Sequence, residues 1–272
     1  MGHDVASAEP SARDCSAPAP VEAGAAQVPA STENRASEQP PAPSRPLRIA
    51  AEAAAILAVP VVLVACAVAG IDQAALLTLA VALASIVVFF ASYEASRPRL
   101  RDIMPAVVLA ALAAAGRILF APIPDFKPVS AIAIIAGIVF GRKSGFMVGA
   151  LAALASNFFF GQGPWTPWQM YAWGLVGYAA GLIAQTGAFE RHPAAVYAYG
   201  FASGLLYGAI LNAWTILGFV HAQAAGAPGV LAVYAAALPF DLTHCVATAA
   251  FLAALYAPWK RKLHRVKAKY GL

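Results

Sequence analysis

The chain has 272 residues, 61% of them hydrophobic and only 11% charged, where soluble domains carry about a quarter. Of the 31 Asp, Glu, Lys and Arg side chains, 15 fall in the 211 residues 49–259 and the short tails hold the other 16; that excludes an ordinary soluble enzyme and puts the middle of the chain in lipid. The net charge of +5 comes from a basic C-terminal tail beside an apolar helix, a pattern that suits a membrane surface better than nucleic acid.

Residues 1–46 hold eight prolines and six acids with few large aliphatic side chains, too little apolar surface to fold alone. A disordered cytoplasmic tail over 1–47 is expected. The first apolar run begins near Ile49, too late for a cleaved signal peptide. Eight apolar segments follow, at about 49–69, 74–93, 102–120, 128–141, 144–161, 166–187, 194–219 and 229–257. Spans need about 20 residues each. The fold expected is an all-α polytopic membrane protein of eight spans: an N-terminal transmembrane hairpin over 48–96, a six-helix bundle over 97–259, and a basic cytoplasmic tail over 260–272. The fourth segment is short enough to be tilted or partly re-entrant.

Basic residues collect in loops that stay cytoplasmic. With the N-terminus inside, 16 of the 18 Lys and Arg residues lie on the inner side, leaving Arg117 and Lys127 outside. Both termini are therefore expected in the cytoplasm, in a cell membrane of bacterial type. The hairpin carries no charge between Ile56 and Phe90 except Asp72 in its turn and reads as an anchor or lipid-facing cladding.

In the six-helix part, intramembrane polar groups mark partners, cavities or water, and here they crowd the outer half. Arg117 closes the third span. The outer loops bring Asp125 and Lys127, then Gln162, Trp165, Thr166 and Trp168. Asn157 and Gln169 lie near outer helix ends and Asn212 about seven residues, roughly 10 Å, below one, with Trp173 and Trp214 a turn or two below the outer loops. Rings and amides around Gly161, Gly163, Pro164 and Pro167 suit a shaped loop able to stack on a flat ligand, although single tryptophans at this depth are commonly interfacial anchors. The inner half is Ala, Gly, Leu and Val, as in 148–155 and 174–184, so no hydrated path continues across.

Asp241 and His244 stand three apart after Pro239, which removes a helix hydrogen bond; they read as a possible gating or packing pair. Ala106, Ala110 and Ala114 make a small-residue stripe that would admit a second helix. Cys15, Cys66 and Cys245 lack metal or redox spacing. No G-x-S-x-G, H-E-x-x-H or Walker lysine motif occurs, so no catalytic residue, metal or cofactor is assigned and no enzyme is expected. ATP-driven transport would need another subunit.

Three features together, the alanine stripe, the segment FAPIPDFKPVSAI at 120–132 and SNFFFGQGPWTPWQMYAWG at 156–174, resemble the substrate-binding S components of energy-coupling factor (ECF) vitamin transporters, over about two-thirds of the chain from Arg101. The resemblance implies a six-helix protein that captures a vitamin in an outward pocket. It then docks through the small-residue face of its first helix onto a transmembrane T component carrying two ATPases, and topples to release the ligand inside. Transferred to this chain, the docking face is Ala106, Ala110 and Ala114, and the pocket draws on Asp125, Lys127, Asn157, Gln162, Trp165, Thr166, Trp168 and Gln169. The GPWTPWQM segment resembles S components assigned to cobalamin or related corrinoids. The extra hairpin departs from the family pattern. Competing readings are a proton-coupled secondary transporter using Asp241 and His244, an intramembrane enzyme, and a structural scaffold.

Overall fold

The computed structural model describes Gly2 and residues 45–69, 74–217 and 222–271. Most of the tail expected over 1–47, the hairpin turn at Asp72 and the loop at His221 lie outside the described residues. The described residues are mostly helical, with no strand among them. The helices are α1 (Arg45–Ala69), α2 (Ala74–Glu94), α3 (Leu100–Leu119), α4 (Val129–Phe140), α5 (Arg142–Phe160), α6 (Trp165–Gln185), the single turn α7 (Ala188–Arg191), α8 (Ala194–Thr215) and α9 (Ala222–Tyr270).

Among the described residues six stretches are long and apolar enough to cross a membrane: Ile49–Cys66, Leu76–Glu94, Leu100–Leu119, Arg142–Phe160, Ala194–Thr215 and Gly226–Tyr270. The chain is thus an all-α protein with the character of a multi-pass membrane protein. Helix α4 is apolar but has 12 residues, about 18 Å at 1.5 Å per residue. The indoles and amides opening α6 dilute its hydropathy, and it is not among the six.

Each boundary has a local cause. The Asp102 carboxylate accepts the Arg99 backbone N–H at 2.8 Å and its Nε–H at 3.1 Å, satisfying a donor that the start of α3 would leave orphaned. Gly141, at φ 95°, lets α4 pass directly into α5 in a conformation that other residues disfavour. Helices α4, α5 and α6 then press together through small residues: a Cβ on Gly137, Gly145 or Gly177 would strike the backbone of a facing helix. Such approach supplies the van der Waals contact that holds helices together in lipid, and it fills the interior near the α4–α5 turn with Ala and Gly.

Two sequence expectations change here. The stripe Ala106, Ala110 and Ala114 is buried within the chain, at 3%, 4% and 6% exposure, on a helix that packs against α5 and α4; it is no free docking face. Small-residue spacing reports a close helix neighbour without saying whose helix it is. Met104, Val107, Val108 and Leu112 form the outward side of α3 instead. Second, the basic segment 260–272 is not a separate tail, because α9 runs on to Tyr270, Lys267 Nζ donates to the Val139 carbonyl at 2.9 Å, and Arg99 donates to the Gly271 carbonyl at 3.2 Å. The residue with non-helical angles inside α9 is Gly226, at φ 59° and ψ −173°.

The hairpin α1–α2 is more than cladding. Its outer side does expose Leu57, Val61, Leu83 and Val87, but its inner side is fastened to the bundle. Phe89 stacks on Phe146 with centroids 3.9 Å apart, Tyr171 Oη donates to the Ile56 carbonyl at 2.8 Å, and Glu52 is buried at 1% exposure. Its carboxylate meets Arg142 at 3.2 Å and Lys143 at 3.4 Å, accepts from Tyr178 Oη at 2.8 Å and from Ser92. Lys143 also donates to the Ser92 carbonyl at 2.7 Å, so the ends of α1, α2 and the α4–α5 turn are tied at one basic end of the bundle.

Candidate functional site

The other end of the bundle is built differently. Arg117 closes α3, and its Nη1 donates to Ser156 Oγ at 2.6 Å and to Asn157 Oδ1 at 2.7 Å on α5. The Asn157 amide in turn donates to Thr166 Oγ1 and Gln169 Oε1 on α6, both at 2.9 Å. The Thr166 hydroxyl donates to Gln162 Oε1 at 2.9 Å, and Gln162 Nε2 donates to the Leu154 carbonyl at 3.1 Å. A side-chain chain thus runs from Arg117 through Asn157 to Gln162 and crosses three helices. Asn157 is wholly buried. Satisfied networks of this kind fix a single arrangement, because any break strands a group in a medium of low dielectric.

A second group meets the first at Trp173. The rings of Trp173, Tyr207 and His244 form a continuous stack, with centroids 4.7 Å and 4.8 Å apart and planes 22° and 9° from parallel. Arg117 lies 5.0 Å and Lys127 5.6 Å from the Trp173 ring centroid, within cation–π range. Lys127 donates to Asp125, which sits in the connection between α3 and α4 at φ 55°. Burial pulls the Lys127 ammonium below the ordinary lysine range, and the charge of Asp125 and its hydrogen bond work against that shift. His244 Nε2 shares a 2.8 Å hydrogen bond with Ser130 Oγ. Its Nδ1 is 4.0 Å from Asp125 Oδ1, too far for a hydrogen bond.

Three buried polar atoms in this half have no hydrogen-bond partner among the described residues: Nε1 of Trp168, Nε1 of Trp173 and Nδ1 of His244. Their residues are 0%, 0% and 2% exposed. An unmet buried donor costs about 1–3 kcal/mol, and native folds carry few of them. The Trp173 indole N–H, beside a guanidinium and an ammonium, makes this region rich in donors and poor in acceptors.

Most of the residues singled out in the sequence meet here. Arg117, Asp125, Lys127, Asn157, Gln162, Thr166, Gln169 and Trp173 are joined by the contacts above. Trp168 is buried near the start of α6, and Trp165 is half-buried at that start with its ring under Gly163. Trp214 is half-buried against the core. Asn212 belongs to a separate pair, donating to Asp241 Oδ2 at 2.9 Å, with Gly208 leaving room for that carboxylate. Asp241 and His244 therefore act apart: one faces Asn212, the other Ser130 and Tyr207. Their i, i+3 spacing placed them on neighbouring positions, yet each found a nearer partner across a helix interface.

Tyr207, Ser130 and Ser156 were missed by the sequence reading, as was Glu52 at the basic end. Ser130 stands inside the segment 120–132 already singled out, and Glu52 is a lone acid in an alanine-rich run; either was a usable signal. Tyr207 sits among Gly and Ala with nothing to mark it. Among the described residues no cluster of His, Cys, Asp or Glu could hold a metal ion.

A profile described as a family of unknown function (DUF6580) matches residues 97–268, which takes in α3 to nearly the end of α9 and leaves out the hairpin. No curated protein and no solved structure matches the chain.

Proposed function

We propose that this chain, which belongs to the family of unknown function DUF6580, is the substrate-capture subunit of an ECF-type importer. It would bind a vitamin in the half of the bundle that holds Arg117, Asn157 and the Trp173–Tyr207–His244 stack, and hand it to a transmembrane T component with two ATPases. The observation that carries this reading is the pair of buried, unpartnered nitrogens within that stack, Trp173 Nε1 and His244 Nδ1, beside the Arg117–Asn157 network. Donors left without acceptors inside a fold are what an acceptor-bearing ligand would satisfy, and aromatic faces suit a flat one. The Ala and Gly packing of α4–α6 toward the other end supports capture rather than a continuous hydrated route.

In this reading the membrane is crossed eight times, with α4 and α6 counted beside the six long apolar stretches and the hairpin as an addition to the family core. Both termini are cytoplasmic, so the site faces outward. In this reading the Arg117–Asn157 contact, which joins α3 to α5, closes the site. Ligand entry parts that contact and moves the 120–128 connection. The partner surface is the outward side of α3 at Val107, Val108 and Leu112, since the alanine stripe is spent inside the chain. A proton-coupled carrier gains less from the geometry, because Asp241 and His244 do not form a relay with each other.

The test is a thermal-shift screen of the purified chain in detergent against B vitamins and corrinoids, with cyanocobalamin first on the strength of the 162–170 segment. A ligand that binds only the folded form raises its stability with concentration. A shift for one compound, lost in Asn157→Ala, supports the reading; no shift for any of them removes it.

A further inference from the structure

The basic end of the bundle holds a cavity of about 380 Å³, walled by the α2–α3 connection, the α4–α5 turn and the end of α9. Three cations line it, one from each wall: Arg97, Lys143 and Lys267. The Ser92 carbonyl fixes Lys143 Nζ at 2.7 Å and the Val139 carbonyl fixes Lys267 Nζ at 2.9 Å. An ammonium has three donors, so neither is used up. Asp102 is the one acid in the lining, and both its oxygens face Arg99, at 3.1 Å and 3.4 Å. Glu52 divides its single charge between Lys143 and Arg142, and Glu94, which ends α2, does not line the cavity. The surplus charge is therefore positive. Arg97 stands out among the three. Its φ is 48°, a left-handed conformation that glycine or asparagine usually supplies just after a helix. It is exposed, and its guanidinium has no ion-pair, hydrogen-bond or ring partner among the described residues.

We propose that this cavity binds the phosphate of an anionic phospholipid headgroup, held among the Arg97 guanidinium and the Lys143 and Lys267 ammonium groups. Depth selects a headgroup as the source of the phosphate. The membrane-long stretch of α2 ends at Glu94 and that of α3 begins at Leu100, so the connection carrying Ser96, Arg97 and Pro98 lies where the hydrocarbon core gives way to headgroups. Basic pockets between membrane helices at that level suit anionic lipids, and a guanidinium fork matches two phosphate oxygens. The positive surplus disfavours a zwitterionic lipid, whose own cation would meet the same three groups. Arg97 fits this role, because the chain keeps a guanidinium where glycine would be the easier backbone. The cavity shares no residue with the ligand site at the other end, so its test is independent of that reading.

The experiment is native mass spectrometry of the full chain released from nanodiscs of phosphatidylglycerol and phosphatidylcholine in equal parts. The proteins are wild type, Arg97→Gly, Arg97→Gly/Lys267→Gln and Arg261→Gln/Arg265→Gln. Wild type is expected to retain one phosphatidylglycerol per chain. Arg97→Gly should reduce that occupancy about tenfold or more, the loss of a charge-assisted hydrogen bond, while melting within a few degrees of wild type, since glycine adopts this φ freely. The double cavity variant should reduce it further. Arg261 and Arg265 stand on α9 and do not line the cavity, so removing those two charges should leave occupancy unchanged; an equal fall there means that diffuse surface charge holds the lipid and overturns the site. Equal retention of the two lipids, or occupancy indifferent to Arg97→Gly and to the double cavity variant, also overturns it. Lipid-free protein in detergent separates the two sources of phosphate. If inorganic phosphate raises the melting temperature as much as dioctanoyl-phosphatidylglycerol at equal concentration, and Arg97→Gly abolishes the gain, the cavity serves a free anion and the headgroup assignment is overturned.

Discussion

Glu52→Gln is the substitution for which the structure sets a size. The change keeps the shape of the side chain and an oxygen for Tyr178 to donate to, but removes the charge that faces Arg142 at 3.2 Å and Lys143 at 3.4 Å. Stranding the partner of a fully buried ion pair costs about 3–5 kcal/mol. Here the two cations keep 21% and 23% of their side-chain surface exposed, and Lys143 retains the Ser92 carbonyl, so water and that carbonyl absorb part of the loss. The expected destabilisation is about 2 kcal/mol. At roughly 2–4 °C per kcal/mol for a domain of this size, the melting temperature in detergent should fall by about 4–8 °C. Melting curves for Glu52→Gln, Arg142→Gln/Lys143→Gln and the triple variant form a cycle, and the triple should melt well above the additive value because the pairs it lacks are lost once only. A Glu52→Gln protein that melts within about 1 °C of wild type, or strictly additive losses, would refute the claim that this carboxylate fastens the hairpin.

Trp168→Phe removes an N–H that has no partner among the described residues, and relief of its cost of about 1–3 kcal/mol offsets the packing lost with the smaller ring, so thermal stability without ligand should change little while ligand affinity falls several-fold; equal loss of both in titration and melting would contradict a ligand role. Asn157→Ala breaks the bonds to Arg117, Thr166 and Gln169 and should weaken binding by about tenfold or more, at a cost of about 2 kcal/mol in stability, read by calorimetry. Ala110→Leu overfills a buried contact and should cost about 1–3 kcal/mol, whereas Ala111→Leu, on the exposed side of α3, should melt like wild type. The Lys127 ammonium is held below the ordinary lysine value of 10.5 by burial. Because its pKa is lower in the folded state, unliganded stability should rise as pH climbs through the folded value toward 10.5, while affinity for an anionic ligand should fall over the same interval. Lys127→Arg should abolish both trends in pH-dependent melting and binding.

The all-helical, membrane-protein character was legible because apolar runs of about 20 residues between charges have one physical reading, and α4 emerged as the short element that its 12 residues imply, whereas the continuation of α9 past 257 to Tyr270 was not. The clustering of Arg117, Asn157, Thr166, Gln169 and Trp173 was legible too, since an intramembrane polar group must find a partner and these share one depth. Which partner it finds was not. The i, i+3 spacing of Asp241 and His244 was silent on Asn212 and Ser130, which come from other helices. Burial of Ala106, Ala110 and Ala114 was hidden for the same reason, and Glu52 escaped because two cations 90 and 91 residues later neutralise it. Periodicity records what an element needs; tertiary contact decides which neighbour supplies it.

The most direct measurement is filter binding of a radiolabelled ligand, the compound that stabilises the chain in the thermal-shift screen, to proteoliposomes containing this chain alone. Saturation at one molecule per chain, with no accumulation above the bath concentration and loss of the signal in Asn157→Ala, is the result that one-sided capture predicts. Concentrative uptake by the chain alone, driven by a proton gradient and abolished by Asp241→Asn, would contradict it.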